Sequence, residues 1–183
     1  HRKKLVRRKK TPGIELAESR LERREVRSYE LEHVGALWHL DYHHTGRKVQ
    51  SEAGEWIDVF CLAIHDDHSR LACHVQWYTA ETARNLIHGV CQAILKRGRP
   101  WTIMTDNGAA MVAAEFTEGL ARIGTMHATT LPYSAYQNGK TERFWGILEG
   151  RLMAMLKDTE LTLNLLNEAT LAWVEGEYNH EKN

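Results

Sequence analysis

Apolar and polar residues alternate, or recur at helical spacing, in a regular succession from about residue 34 to the end of the chain. Three runs rich in β-forming residues predict strands, and the turn cluster Asp66-Asp67-His68-Ser69 joins the second to the third as part of an antiparallel meander. Helical spacing follows, interrupted by short buried strands. The predicted strands are 34–42, 55–65, 71–78, 101–105 and 125–129, and the predicted helices are 83–95, 113–123, 137–156 and 163–178.

This order predicts an α/β protein with a mixed sheet, in which a meander is followed by helical crossovers. It is the element order of the ribonuclease H-like fold, a mixed five-stranded sheet flanked by helices, although other mixed sheets share parts of it. The long loop at 45–54 is predicted to carry no regular element. An apolar stripe in the helix after Glu142 is expected to pack in the core; it comprises Phe144, Trp145, Leu148, Leu152 and Met155.

Charge is divided unevenly between two parts of the chain. Residues 1–30 hold 11 Lys or Arg and 5 Glu, whereas residues 31–183 hold 13 basic and 19 acidic residues, so the net charge of zero is the sum of +6 and −6. The basic run at 2–10 is typical of segments that bind phosphates through counterion release, although a solvated arm has the same composition. We therefore predict a basic arm and charged linker at 1–30 and a separate folded core at 31–183.

Composition also excludes several classes of protein. The three cysteines contain no CxxC pair, so neither a disulfide scaffold nor a zinc ribbon is indicated, and the cytoplasm is the expected location. The longest apolar run is six residues, at 59–64, far short of the roughly 20 that span a bilayer, so no membrane partner is expected. A first residue of His indicates an excised fragment that lacks further domains at both ends.

Three carboxylates stand at positions that the predicted fold could bring together. Asp41 lies at the end of the first strand, Asp106 directly follows the fourth, and Glu142 lies one turn into a helix. Each has an ordinary explanation, as a turn residue or as an acid near a helix N-terminus. The two strands neighbour one another in the inferred sheet, however, so all three side chains could converge on one edge.

Converging carboxylates repel one another unless a cation neutralises them, and Mg²⁺ suits a few carboxylates combined with water and phosphate oxygens. Two such ions, Mg²⁺ or Mn²⁺, about 3.5–4 Å apart would activate an attacking oxygen and stabilise a leaving one at phosphorus. The arrangement therefore indicates phosphoryl-transfer chemistry.

Three segments resemble the DDE catalytic core of retroviral integrases and bacterial insertion-sequence transposases. They are Trp38-His39-Leu40-Asp41, Thr105-Asp106-Asn107-Gly108, and the run from Pro132 to Glu142 (PYSAYQNGKTE). The resemblance spans about 34–180, where Tyr178-Asn179-His180 resembles the start of a closing Tyr-Asn motif. It implies that Asp41, Asp106 and Glu142 are the catalytic metal ligands. The first two lie 65 positions apart, longer than is typical of retroviral integrases, which favours the bacterial branch and a bacterial cytoplasm.

DNA is the expected substrate, as transposon ends and as target. The segment 134–141 precedes the Glu142 helix and is predicted to be a mobile loop that holds DNA near the scissile phosphate. The DNA-contact candidates are Tyr133, Gln137, Asn138, Lys140 and Arg143. His43 and His44 could approach a phosphate or be ordinary loop residues. The resemblance also implies a homo-oligomer on DNA, with an auxiliary transposition protein as a further partner.

Three functions remain open from the sequence. The first is Mg²⁺-dependent DNA 3′-end processing and strand transfer in transposition. The second is a ribonuclease H-like nuclease without strand transfer; such enzymes often use a fourth carboxylate. The third is a catalytically silent DNA-binding module derived from a transposase.

Overall fold

A computed structural model of the chain describes residues 31–130, 139–157 and 160–181. The predicted arm and linker at 1–30 lie outside the described residues and stay a prediction. The strands are β1 Leu37–His43, β2 Lys48–Gln50, β3 Trp56–Asp58, β4 Phe60–Asp66, β5 Ala72–Tyr78, β6 Thr102–Thr105 and β7 Met126–Thr129. The helices are α1 Ala83–Arg97, α2 Ala114–Arg122, α3 Gly139–Leu148 and α4 Leu163–Gly176, with a π-helical turn at Glu149–Met153 and a 3₁₀ turn at Tyr178–His180.

Five of the strands form one mixed sheet, in the order β5-β4-β1-β6-β7. The β4 strand is antiparallel to both of its neighbours, β5 and β1, and β6 and β7 continue the sheet parallel to β1. Helix α1 connects the edge strand β5 to β6, and α2 connects β6 to β7. The predicted α/β class, with a meander followed by helical crossovers, is therefore confirmed.

Helices cover both faces of the sheet, and the alternation of side chains along β4 shows how. Cys61 and Ala63 pack in the cluster that contains α3 and α4, whereas Leu62 and Ile64 pack in the cluster that contains α1 and α2. This is the period of two expected of a strand buried on both faces. The predicted stripe of α3 joins the first cluster, except for Met155, which is 62% exposed.

Local signals set the helix ends. The Thr82 side chain accepts a hydrogen bond from the Asn85 amide at 3.2 Å and caps α1, which Gly98 ends with a φ of 83°. Thr162 caps α4 in the same way, through the Leu165 amide at 3.3 Å. In the part of the chain that the structure describes, no helix is long and apolar enough to cross a membrane.

One prediction about the meander is wrong. The run 55–65 is two strands, β3 and β4, and the loop at 45–54 contains β2, which forms a hairpin with β3. Contacts with the rest of the protein stabilise the hairpin: the Gln50 amide donates to the Leu161 carbonyl at 3.0 Å, and Val49 is fully buried. A contact with the segment before α4 therefore stabilises two strands of three residues each.

Candidate active site

Asp41 and Asp106 lie side by side at one edge of the sheet. Asp41 is the fifth residue of β1, and Asp106 directly follows β6. In the parallel register of these strands His39 is level with Met104, so two residues further Asp41 is level with Asp106. Neighbouring strands are about 4.8 Å apart, so the predicted pairing of these two carboxylates follows from the backbone alone.

The two aspartates line one cavity of about 220 Å³. Its other lining residues are Tyr42, His44, Glu81, Gly108, Ala109, Ala110 and Met111. Glu81, in the connection between β5 and α1, therefore brings a third acidic side chain to the cavity. Sequence analysis did not select Glu81 as a site residue, because an acidic residue just before a helix is common and by itself indicates no site.

Asp41 lies in an environment that disfavours its charge. Burial raises the pKa of Asp41 above its usual value, a hydrogen bond from Trp145 lowers it, and the nearby Asp106 raises it further. A cation between the two carboxylates would relieve both the burial and the repulsion. The donor set, two hard carboxylates on a cavity with room for water and phosphate oxygens, fits Mg²⁺ or Mn²⁺.

The turn after β6 orients Asp106. Its Oδ1 accepts a hydrogen bond from the Gly108 amide at 2.9 Å, and Asn107 donates to the Thr130 carbonyl at 3.3 Å. A Cβ on Gly108 would lie 3.0 Å from the same Oδ1, a tight contact that glycine avoids. The predicted Asp-Asn-Gly turn is therefore present, and it holds the carboxylate in place.

Glu142 lies in the first turn of α3 and is exposed. The middle of this helix contacts the strand that bears Asp41, because the Trp145 Nε1 donates to Asp41 Oδ2 at 3.0 Å. Among the described residues, however, no three His, Cys, Asp or Glu side chains are grouped so that they could hold a metal ion. The structure thus brings together two of the three predicted ligands, and the role of Glu142 stays a prediction.

The predicted DNA contacts fall into two groups. Tyr133, Gln137 and Asn138 lie outside the described residues. Lys140 forms an ion pair with Asp67, which is 1% exposed, and Arg143 is exposed beside Glu142. Lys140 therefore has a structural partner inside the protein, whereas Arg143 lies open to solvent.

Both histidines that follow Asp41 contact carboxylates. The His43 Nε2 hydrogen-bonds Glu149 Oε1 at 2.7 Å, and its ring stacks on Trp145 with centroids 4.7 Å apart. The His44 Nε2 hydrogen-bonds Glu81 Oε1 at 2.6 Å. Sequence reasoning missed Trp145 and Glu149 as neighbours of the site, because the pattern of α3 marks Trp145 only as a core residue.

A mixed sheet that brings two aspartates to the same edge, on or directly after neighbouring parallel strands, is typical of proteins with the ribonuclease H-like fold. The family model of the Integrase core domain matches residues 32–135, more than half of the chain. The chain therefore belongs to the integrase core domain family. The predicted family is therefore confirmed, and its integrase homologues are polynucleotidyl transferases.

The curated relatives are viral polyproteins. The Gag-Pro-Pol polyprotein of Human T-cell leukemia virus 2 is 34% identical over 99 residues, which is 54% of this chain and 7% of that protein. The Gag-Pol polyprotein of Rous sarcoma virus subgroup C (strain Prague) is 31% identical over 94 residues, or 51% and 6%. The chain thus spans about 7% of the length of such relatives. These relatives are retroviral, so the bacterial branch and location are not confirmed and stay predictions.

Solved structures agree with the family and the fold. The HTLV-2 integrase catalytic core domain in complex with magnesium, in its trimeric form, matches with a TM-score of 0.58 and 27% identity, covering 75% of this chain and 84% of that one. The simian T-cell lymphotropic virus intasome in complex with the PP2A regulatory subunit B56 gamma matches with a TM-score of 0.65 and 25% identity, covering 79% and 50%. The predicted ribonuclease H-like fold is confirmed.

Proposed function

We propose that this chain is the catalytic domain of a DDE-type integrase or transposase that carries out Mg²⁺-dependent 3′-end processing and strand transfer on DNA. The observation that carries this proposal is the pair of aspartates, Asp41 and Asp106, which stand level on parallel strands and line one cavity. Membership of the integrase core domain family supports the same chemistry.

Asp41 and Asp106 would hold the metal, and Glu142 would complete its ligands when α3 and the segment before it engage DNA. Two Mg²⁺ ions bound there would lower the pKa of the attacking oxygen and stabilise charge on the leaving one. The HTLV-2 core domain, which shares this fold, was solved in complex with magnesium. The feature of this chain that supports a bound cation is the pair of partly buried carboxylates on one cavity, where burial and the nearby Asp106 raise the pKa of Asp41.

The reaction then proceeds in two displacements at phosphorus. Water attacks a phosphodiester at the end of the element, so the bond to the leaving 3′-oxygen breaks and that end gains a free 3′-hydroxyl. This hydroxyl next attacks a phosphodiester of target DNA, and one P–O bond forms as another breaks. Asp41 and Asp106 would hold the metal that supplies the Lewis-acid chemistry for both displacements, and no covalent bond to the protein is needed.

DNA would contact the open side of the site. Arg143, exposed beside Glu142, and the predicted loop residues Tyr133, Gln137 and Asn138 are the proposed contacts, with the basic run at 2–10 adding affinity. Proteins similar to this chain were solved as dimeric and trimeric core domains and within an intasome. We therefore expect this chain to act as a homo-oligomer on DNA.

The test is a joining assay with the whole chain, Mg²⁺ or Mn²⁺, and labelled DNA that carries a preformed 3′-hydroxyl end. We expect products joined to target DNA, abolished by Asp41→Asn, Asp106→Asn or Glu142→Gln. Asp58→Asn, which alters an exposed acid of the β2–β3 hairpin, is the matched control and leaves joining intact. Near-normal joining by Asp106→Asn would overturn the proposed site, and near-normal joining by Glu142→Gln would remove that residue from it.

A second candidate, a ribonuclease H-like nuclease, is favoured by one observation. Glu81 adds a further carboxylate to the cavity that Asp41 and Asp106 line, and such nucleases often use a fourth acid. Cleavage of an RNA–DNA hybrid without any joining would support this candidate. A catalytically silent module would instead show neither activity, and its Mn²⁺ binding would be equally negligible in the unaltered chain and in Asp106→Asn.

A further inference from the structure

The Trp145 side chain links the helix that carries Glu142 to the carboxylate of Asp41. Its indole Nε1 donates to Asp41 Oδ2 at 3.0 Å, across 104 positions of sequence. Trp145 is 5% exposed and belongs to the core cluster of α3 and α4. A donor held this firmly fixes the rotamer of its acceptor more strictly than a mobile surface group would.

Two aromatic rings, those of His43 and Phe144, also pack against the Trp145 indole. The His43 ring stacks on Trp145 with an interplanar angle of 13°, and Glu149 Oε1 hydrogen-bonds His43 Nε2 at 2.7 Å. Phe144 packs edge-to-face on the same indole with centroids 5.0 Å apart. The indole therefore contacts both a buried phenyl ring and a histidine that is itself hydrogen-bonded to the π-helical turn after α3.

We propose that Trp145 is a positioning residue for metal binding: its N–H engages one oxygen of Asp41 and presents the other, Oδ1, to a cation in the cavity. This inference rests on the proposed function, since it supposes that Asp41 is a metal ligand. Carboxylates that ligate metals are themselves hydrogen-bonded, and losing such a partner typically lowers metal affinity by 10–100-fold. An indole is suited to the task because it can donate and cannot compete as a ligand.

Other buried tryptophans provide matched controls. The Trp173 Nε1 is buried without a hydrogen-bond partner among the described residues, so Trp173→Phe removes an indole of the same cluster without removing a hydrogen bond. The Trp77 Nε1 donates to Thr170 Oγ1 at 2.8 Å, so Trp77→Phe removes an indole hydrogen bond whose acceptor is a hydroxyl and not a carboxylate. Only Trp145→Phe removes the donor to Asp41.

The experiment measures Mn²⁺ affinity of the whole chain in the absence of DNA, by electron paramagnetic resonance of the free ion. We expect Trp145→Phe to weaken binding about 10-fold, and Trp173→Phe and Trp77→Phe to change it less than twofold. Thermal unfolding of each variant shows that it is folded. Equal Mn²⁺ affinities for Trp145→Phe and the unaltered chain would overturn the inference.

A spectroscopic measurement covers the case in which Trp145→Phe does not fold. In the unaltered chain labelled with ¹⁵N-tryptophan, we expect Mg²⁺ to shift the Trp145 indole resonance, with the Trp77 indole resonance unchanged. An unmoved Trp145 signal under saturating Mg²⁺ would overturn the inference. If Asp41→Asn and Asp106→Asn bind Mn²⁺ as the unaltered chain does, the proposed metal site fails instead, which separates the two failures.

Discussion

Two aspartates of this protein, the partly buried Asp41 and the buried Asp67, lie in opposite electrostatic environments. Asp41 shares a cavity with Asp106, and burial together with that like charge raises its pKa. Burial also acts to raise the pKa of Asp67, but hydrogen bonds from His39 and Lys140 outweigh it and lower that pKa to about 2. Asp67 is therefore an anion satisfied within the protein, whereas Asp41 accepts a side-chain hydrogen bond from Trp145 and shares its cavity with a second carboxylate, which is the basis of the cation site proposed above.

We expect Asp67→Asn to lower the free energy of unfolding by about 2 kcal/mol at pH 7, because it breaks a largely buried ion pair to Lys140. The same carboxylate accepts from His39 Nε2 at 2.8 Å and from the Leu31 amide at 2.8 Å. Since its pKa is lowered on folding, its contribution is present above the unfolded value near 3.9 and lost as pH falls toward 2. Urea unfolding at pH 7 and pH 3 measures both effects.

Asp58→Asn is the control for Asp67→Asn, since its ion pair with Lys48 is exposed and contributes little. Asp67→Asn should also reduce joining, because Lys140 lies two residues before Glu142 and its pairing fixes the start of α3. An unfolding free energy that matches that of Asp58→Asn would contradict this account of Asp67.

His65 makes stability depend on pH. Burial, followed by the nearby His39, lowers the pKa of His65 to about 3, and neither ring nitrogen has a hydrogen-bond partner among the described residues. As pH falls through 6.5 the unfolded chain takes up a proton that the folded one does not. We expect His65 to cost roughly 1 kcal/mol of stability between pH 7 and pH 5.5.

His65→Phe tests this dependence, because a phenyl ring suits a site that already contacts Phe144 and Tyr178. Its unfolding free energy should fall less between pH 7 and pH 5.5 than that of the unaltered chain. His180→Gln, at an exposed position, should keep the original slope. Burial also lowers the pKa of His74, to about 4, so part of the dependence will remain. An identical slope in His65→Phe would contradict the assignment.

At the scale of elements, two asparagines protect the edge strand β5. Asn179 accepts from the Ala72 amide at 2.9 Å and donates to the Ala72 carbonyl at 3.1 Å. Asn167 on α4 does the same for Trp77, at 2.7 and 3.1 Å. Each side chain thus takes the place of one residue of a neighbouring strand on an edge that would otherwise be open to pairing. The closing Tyr178-Asn179 pair acquires a structural role in this way.

We expect Asn179→Ala to lower the free energy of unfolding by about 2 kcal/mol, since it removes two hydrogen bonds to buried backbone. It should also promote association, which light scattering at increasing concentration measures. Asn164→Ala, at an exposed position of α4, is the matched control and should change neither quantity. Unchanged stability together with unchanged scattering in Asn179→Ala would show that β5 needs no such cover.

The sequence predicted what local patterns encode. The strands, the turn at Asp106 and the pairing of Asp41 with Asp106 follow from periodicity and from the order of elements. The β2–β3 hairpin was missed because its strands are three residues long and depend on a backbone bond to Leu161. The Trp145 contact with Asp41 was missed because it joins positions 104 apart, which no local pattern reports.

For the molecule as a whole, affinity for DNA should depend on the position of charge and not on its sum, because the net acidic segment 31–183 follows the net basic segment 1–30. We expect replacement of Lys9 and Lys10 by Gln to weaken binding evenly across DNA sequences and to reduce the slope of log K against log salt by about 2. The control replaces Arg99 and Arg122, which lie near the starts of β6 and β7, at the edge opposite Asp106, and should leave the slope unchanged. Fluorescence anisotropy with labelled duplex at several salt concentrations measures both. An equal reduction of the slope in the two variants would mean that DNA affinity depends only on the net charge of the chain. A reduction confined to the variant of Lys9 and Lys10 would show that the segment 1–30 supplies phosphate contacts that the segment 31–183 lacks.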